Sequence, residues 1–303
     1  MQKVGHLTSA RVAIIGSGNI GTDLMLKARK SGALKVTHMI GRRDDSPGLA
    51  RAQALGVATS SGGLEALERL IDSIDVIFDA TSAHDHLQLA ASLSNSDKLI
   101  VNLTPAKTGE YYVPHVTQGW GSARGRNLNM VTCGGQTSIP LIHQISNTFG
   151  QEAFTGVELA STLASKSAGP ATRANLDEYV QNTSQAIESL CGIPAKVLLA
   201  LNPAKPEPVM RSSVYLKSAQ TVNQFVKPMR EVIREVNDKV QAYCSGYRIR
   251  EEVLVVQENV LKLQVEVTST SESFPIFAGN LDIINTAAIR AAEELAGRIG
   301  HNL

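Results

Sequence analysis

The run Arg11-Val12-Ala13-Ile14-Ile15, followed at once by Gly16-Ser17-Gly18-Asn19-Ile20-Gly21, limits what this chain can fold into more than any other stretch. A short β-branched apolar run reads as a strand and the glycines as a tight turn. The spacing of Leu24, Leu26 and Ala28, stopped by Gly32, reads as a helix. Residues 36–40 supply a second strand. Strand, glycine-rich turn, helix and strand within about 30 residues is the unit that builds a doubly wound parallel sheet. In that context Gly16 makes the turn, Gly18 lets a pyrophosphate approach the backbone, and Gly21 lets the helix pack on the sheet. The phosphates then meet the positive end of the helix. The plainer reading is that the glycines serve a tight turn and nothing else.

The end of the second strand bears on which dinucleotide is bound. An acidic residue that would hold the ribose hydroxyls of NAD is expected there. The chain instead reads Gly41-Arg42-Arg43-Asp44-Asp45. Guanidinium forks at Arg42 and Arg43 suit a 2′-phosphate, so NADP is expected to be accepted as well as NAD. The alternative is a solvated charge cluster, with Asp44 and Asp45 opposing the arginines. Helices follow over 47–55 and 63–70, then a buried strand over 75–79. That strand ends in Ala80-Thr81-Ser82-Ala83-His84. Thr81 and Ser82 are small residues of the kind that line a cofactor crevice at strand ends. His84 and His86 flank Asp85 without cysteines or clustered acids, a pattern that caps a helix more often than it binds metal, so no metal is expected. A strand over 99–103 and a surface loop over 109–126 lead to the middle of the chain.

There the chain reads Asn129-Met130-Val131-Thr132-Cys133-Gly134-Gly135-Gln136, and a helical pattern runs on to about Phe149. A thiol at a strand end, before a helix N-terminus, sits among backbone N–H donors and in the positive end of the helix dipole. Both favour thiolate. Gly134 and Gly135 let a substrate approach the backbone, which suits an oxyanion hole, with Gln136 beside it. The competing reading of Cys133 is a buried structural cysteine beside a tight turn.

The second half changes texture. A strand over 156–163 leads into Ser165-Lys166-Ser167-Ala168-Gly169-Pro170-Ala171-Thr172-Arg173, small and cationic, either a mobile linker or a loop that closes over an anionic cofactor. An amphipathic helix over 174–190, strands over 195–201 and 210–216, a charged helix over 220–242 and a hairpin over 253–267 follow. About five strands and two helices make an α+β layer with an open sheet face, and such a face needs a partner, so self-association is expected. The closing helix carries a narrow face of Ala287, Ala288, Ala291, Ala292 and Ala296 that packs closely and is expected to return to the first domain. The expected division is a dinucleotide-binding domain over 1–132, completed by 281–303, and a catalytic and dimerisation domain over 133–280.

Composition removes other classes. A formal net charge of +1 gives no strong field for nucleic acid, and no apolar run approaches a membrane span. The first ten residues lack the apolar core of a signal peptide, and three cysteines far apart form neither a disulfide framework nor a metal ladder. A reducing cytoplasm fits best.

Four stretches together resemble the acylating acetaldehyde dehydrogenase family, the CoA-dependent enzymes of aromatic meta-cleavage pathways. They are Ile14 through Met25, Asn129 through Gln136, Ser165 through Arg173, and Ala278-Gly279-Asn280-Leu281-Asp282-Ile283; the segments at 78–83 and 103–106 also fit. The resemblance implies a Rossmann domain closed by the C-terminal helix and a central domain carrying the dimer contact. It places the nucleophile on Cys133 and cofactor contacts on Ser17, Gly18, Asn19 and Ile20, on Ser165 to Arg173, and on Asn280. The implied reaction joins an aldehyde, coenzyme A and NAD(P)+ to give acyl-CoA and NAD(P)H through a Cys133 thioester, and the motifs do not fix its direction. A homodimer, and an aldolase that cleaves 4-hydroxy-2-oxoacids, are the implied partners. Three departures stand out. Met210-Arg211 is followed by Ser212 where the family has an aspartate proposed as base; Gly41-Arg42-Arg43 replaces Gly-Ile-Asp; and the segment between Tyr247 and Ser273 is short. Two other functions compete: a phosphorylating semialdehyde dehydrogenase, which needs a base histidine near the thiol, and a dinucleotide-holding scaffold without catalysis.

Overall fold

The computed structural model describes residues 9–117 and 127–299, with the backbone alone at 170–171 and 296–299. Contacts divide the described residues into two units, 9–110 with 127–129 and 288–299, and 111–117 with 130–287. Expectations placed on residues 1–8, 118–126 and 300–303, and on the Ala296 side chain, lie outside the described residues.

The first unit alternates strand and helix: β1 (Ala10–Ile15), α1 (Asn19–Ala28), β2 (Leu34–Ile40), α2 (Pro47–Ala54), β3 (Ala58–Ser60), α3 (Gly63–Leu70), β4 (Val76–Asp79), α4 (Ala83–Ser92), β5 (Leu99–Asn102), β6 (Glu110–Tyr111) and β7 (Asn127–Asn129). Its described strands form a seven-stranded sheet in the order β3-β2-β1-β4-β5-β7-β6. The pairs from β3 through to β7 are parallel. All residues of β4 and β5 are buried, which is why they read as unbroken apolar runs: a parallel sheet is covered on both faces. The strand order reverses between β1 and β4, so the crevice of this Rossmann-type sheet opens beyond the C-terminal ends of those two strands.

Two parts of this sheet were not legible. β3 and β7 have three residues each, too short to carry a period. The loop expected on the surface over 109–126 holds Tyr112 and Val113 buried, at 3% and 0% exposure.

The second unit opens with α5 (Cys133–Phe149), β8 (Phe154–Ala164), α6 (Pro170–Ala174), α7 (Leu176–Cys191) and β9 (Ala195–Asn202). It continues with β10 (Met210–Ser218), α8 (Asn223–Gln241), β11 (Tyr247–Ile249), β12 (Leu254–Gln257) and β13 (Val260–Val267), and runs into α9 (Gly279–Ile299). The described strands make a mixed six-stranded sheet, one more than expected because three-residue β11 pairs with β13. β8 and β9 are parallel, joined by α7; the other pairs are antiparallel. α5, α7 and α8 bury one face of this sheet in a single apolar core. In α8 the buried Phe225, Met229, Val232, Ile233, Val236 and Val240 recur at helical spacing.

The other face of the sheet is built in rows by the strand register. Lys196, Glu158, Tyr215 and Lys262 form one row, and Leu198, Ala160, Ser213 and Gln264 the next. Leu198 is 66% exposed in the middle of that face. In α9 Ala287, Ala288, Ala291 and Ala292 are fully buried, as their spacing predicts. Among the described residues no helix is long and apolar enough to cross a membrane.

Candidate active site

In the first unit the glycines differ in what surrounds them. Gly16 has a φ of 105°, and a Cβ there would lie 2.4 Å from the Ala80 carbonyl oxygen. A Cβ on Gly21 would lie 1.8 Å from the Gly16 carbonyl oxygen. These two close the turn against β4 and the helix against the turn. Gly18, the N-cap of α1, has open space where its Cβ would point and no side-chain cap. An opening at the N-terminus of a ten-residue helix, at the sheet's switch point, is what a pyrophosphate requires. Asn19 and Ile20 begin that helix, and the Ser17 hydroxyl lies 2.6 Å from that of Ser46. These residues fit a dinucleotide.

The neighbouring groups are engaged locally. Asp79 is buried, and its carboxylate accepts from the backbone N–H and the hydroxyl of Thr81 and from His86 Nδ1, the last at 2.8 Å. The Ser82 hydroxyl caps α4, accepting from the Asp85 N–H at 3.1 Å. His86 is buried, with Nε2 2.7 Å from the Thr108 hydroxyl, whereas exposed His84 lies against Gln88. Arg43 forms a fork with Asp45, and Arg42 reaches Asp85 at 3.5 Å. Both arginines therefore stand in ion pairs while remaining more than three-quarters exposed.

In the second unit Val131 enters the site with a φ of 62°, rare for a β-branched residue. Such strain persists only where the surroundings impose it. Here the Asn182 amide donates to the Val131 carbonyl at 3.0 Å. Thr132 then caps α5, its hydroxyl accepting from the Gly135 N–H at 3.0 Å. Cys133 is the first residue of the helix, half-buried and packed against the core. Its sulfur lies 3.5 Å from the Tyr179 hydroxyl oxygen, which accepts from the Gly134 N–H at 2.9 Å.

The glycines after the cysteine are closely packed. A Cβ on Gly134 would lie 2.3 Å from the Tyr179 hydroxyl and 3.1 Å from that of Ser161; one on Gly135 would lie 2.5 Å from Val131 Cγ1. The space left by the missing side chains is filled by the protein's own residues. Gln136 is fully buried, and its amide nitrogen donates to the Tyr112 and Met130 carbonyls at 2.8 and 2.9 Å. Both hydrogens of its side-chain amide are thereby engaged by backbone carbonyls.

The thiol departs from expectation. Burial pushes Cys133 up to about 11; the Tyr179 hydrogen bond and the backbone N–H groups of Gly134 and Cys133 act the other way and are smaller. Desolvation is the larger effect and favours the thiol over the thiolate. Burial, and then the nearby Cys133, raise Tyr179 well above the usual phenol range. Ser161 and Ser212 lie behind this pair, hydroxyl oxygens 2.9 Å apart.

The segment 165–173 is an ordered turn followed by α6, with Gly169 as N-cap of Pro170-Ala171-Thr172-Arg173-Ala174. Arg173 binds back to the Ala168 carbonyl and the Ser165 hydroxyl, and Lys166 pairs with Glu207. Asn280 donates to the Ser167 carbonyl at 3.2 Å, and its own buried Oδ1 has no hydrogen-bond partner among the described residues. Tyr179, Ser161 and Asn182 were not singled out from the sequence. Their positions inside ordinary strand and helix patterns carry no local sign of the site.

Comparison with known proteins adds to this geometry. Residues 133–275 match the model for prokaryotic acetaldehyde dehydrogenase, dimerisation, and residues 11–106 match that for NADP oxidoreductase, coenzyme F420-dependent. The chain is 42% identical to an acetaldehyde dehydrogenase of Spirochaeta aurantia, covering 94% of each chain. It is 41% identical to one of Pectobacterium atrosepticum, over 94% of this chain and 95% of that one. It is 40% identical to one of Geobacillus thermodenitrificans, over 95% and 96% respectively.

Proposed function

The chain belongs to the acetaldehyde dehydrogenase family, and from that premise we propose that it is a CoA-acylating aldehyde dehydrogenase using NAD or NADP. The observation that carries this reading is the placing of Cys133 at the first turn of α5, with a phenol and backbone N–H groups around its sulfur. The sulfur adds to a short-chain aldehyde and makes a thiohemiacetal, because an aldehyde gives up hydride readily only after a nucleophile has added. A bound nicotinamide would supply the hydride acceptor, and the thiohemiacetal's hydroxyl proton is released as the carbonyl re-forms. Cys133 is left holding an acyl thioester, which coenzyme A takes by exchange between two thioesters of similar energy. The same residues serve acyl-CoA reduction in the opposite direction. Gly16, Gly18 and Gly21 admit the dinucleotide, and Asn280 Oδ1, buried and without a partner among the described residues, supports a ligand contact beside 165–173.

The open face of the second sheet, with Leu198 exposed on it, is the seat proposed for a second copy of the chain. An aldolase that releases the aldehyde is the proposed supplier, and co-purification tests that partnership.

A phosphorylating mechanism finds little support. His143, the histidine on α5, is ten residues beyond Cys133, about 15 Å along the axis. Its ring lies within reach of Asn147, at 3.3 Å. Turnover measured with coenzyme A or inorganic phosphate, NAD+ or NADP+, and aldehydes of increasing length tests the reading. Dependence on coenzyme A supports it; equal turnover with phosphate contradicts it.

A further inference from the structure

The Cys133 thiol needs a route for its proton, and the position after Met210-Arg211 holds Ser212, a poor base near neutral pH. The Ser212 hydroxyl faces Ser161, not the sulfur. Three amide donors of the first turn of α5 have partners within the protein, and the backbone N–H groups of Gly134 and Cys133 also act on the sulfur. The Gly134 N–H donates to the Tyr179 hydroxyl, the Gly135 N–H to Thr132 Oγ1, and the Gln136 N–H to the Thr132 carbonyl at 2.8 Å. Among the described residues the phenol of Tyr179 is the side chain hydrogen-bonded to the sulfur.

Resting on the reading of Cys133 as nucleophile, we propose that Tyr179 is a catalytic residue, a neutral proton relay between the Cys133 thiol and the aldehyde oxygen. As the bond from sulfur to the carbonyl carbon forms, the S–H bond breaks and its proton passes to the phenol oxygen. The electron pair of the C=O π bond moves to the carbonyl oxygen, which takes the phenol's own proton. The product is a neutral thiohemiacetal, and Tyr179 is returned as a phenol with one proton exchanged. No ion is created in a site where burial disfavours both thiolate and phenolate. The Gly134 N–H on the phenol oxygen polarises the O–H bond toward the substrate. The sulfur lies 3.5 Å from the phenol oxygen, within reach to pass its proton, and the Thr132 side chain also hydrogen-bonds that phenol. Glycine at 134 is what lets the phenol come this close, since any Cβ there would displace it.

The experiment measures the pre-steady-state burst of NADH with acetaldehyde and NAD+, coenzyme A omitted, for the full chain, Tyr179→Phe and Cys133→Ala. The relay predicts a burst rate at least about 100-fold lower in Tyr179→Phe, within the range of general acid–base catalysis. Burst amplitude and dinucleotide affinity stay unchanged. A Tyr179→Phe burst within about threefold of wild type, with none in Cys133→Ala, overturns the relay and leaves the nucleophile intact. A burst surviving in Cys133→Ala overturns the nucleophile itself. Should Tyr179→Phe fail to fold, 3,5-difluorotyrosine at 179 keeps ring and hydroxyl while making the phenol more acidic. The relay then predicts that the alkaline limb of the burst-rate profile moves to lower pH, and superimposable profiles contradict it.

Discussion

Ser161 and Ser212 face each other as register partners across β8 and β10, their hydroxyl oxygens 2.9 Å apart and both side chains buried. Each is the other's hydrogen-bond partner, so removing one leaves a buried hydroxyl with nothing in its place. Ser161→Ala and Ser212→Ala are each expected to cost about 1–3 kcal/mol of stability. The double variant costs clearly less than their sum, because no polar group is then stranded. Denaturant titration of the four proteins checks this; strict additivity would show that the pair is not coupled.

The glycine turn separates packing from binding. A Cβ at Gly21 would run into the Gly16 carbonyl, whereas one at Gly18 meets open space. Gly21→Ala is expected to melt well below wild type. Gly18→Ala is expected to keep its stability within about 1 kcal/mol, the scale of an N-cap change. It binds the dinucleotide about tenfold more weakly, or ~1.4 kcal/mol. Thermal melts and dinucleotide titrations of both variants read the two effects independently.

Cofactor choice is testable at the second strand. Arg43 is held in a fork by Asp45. Asp45→Asn releases the guanidinium for a 2′-phosphate and is expected to raise the NADP+ to NAD+ ratio of kcat/KM by about two- to fivefold, the modest range of an exposed pair. An unchanged ratio would place Arg43 away from the ribose.

The thiol gives a pH prediction with a definite sign. Burial raises Cys133 to about 11, and the Tyr179 hydrogen bond is the largest influence pulling it down. The thiolate is the alkylating form. The rate of iodoacetamide reaction at Cys133 is therefore expected to keep rising beyond pH 9 in the unliganded protein. In Tyr179→Phe the inflection moves to still higher pH. Cys191, pushed up to about 12 by burial, reacts more slowly than Cys133 throughout. Peptide mapping across the pH series distinguishes the cysteines.

Much of the architecture was legible because it rests on long, periodic signals. β1, the glycine turn and α1 declare themselves by residue type, and α8 by its spacing of Phe225, Met229, Val232 and Val236. β3, β7 and β11 were missed because three residues hold no period and are fixed by the strands beside them. At the site, Cys133 and its glycines were visible as a local pattern. The partner of the sulfur was not. Tyr179 comes 46 residues later, in a helix whose period explains it equally well as core. The balance between dipole and desolvation at the thiol also depends on what surrounds the sulfur in three dimensions, which no spacing in the chain records.

The most direct test is the mass of the Cys133 peptide after the protein is incubated with acetaldehyde and NAD+ without coenzyme A, then quenched in acid. The account predicts one acetyl group per chain on Cys133, formed together with stoichiometric NADH and discharged when coenzyme A is added. An unmodified Cys133 accompanied by NADH formation, or an acetyl group carried elsewhere in the chain, would contradict it.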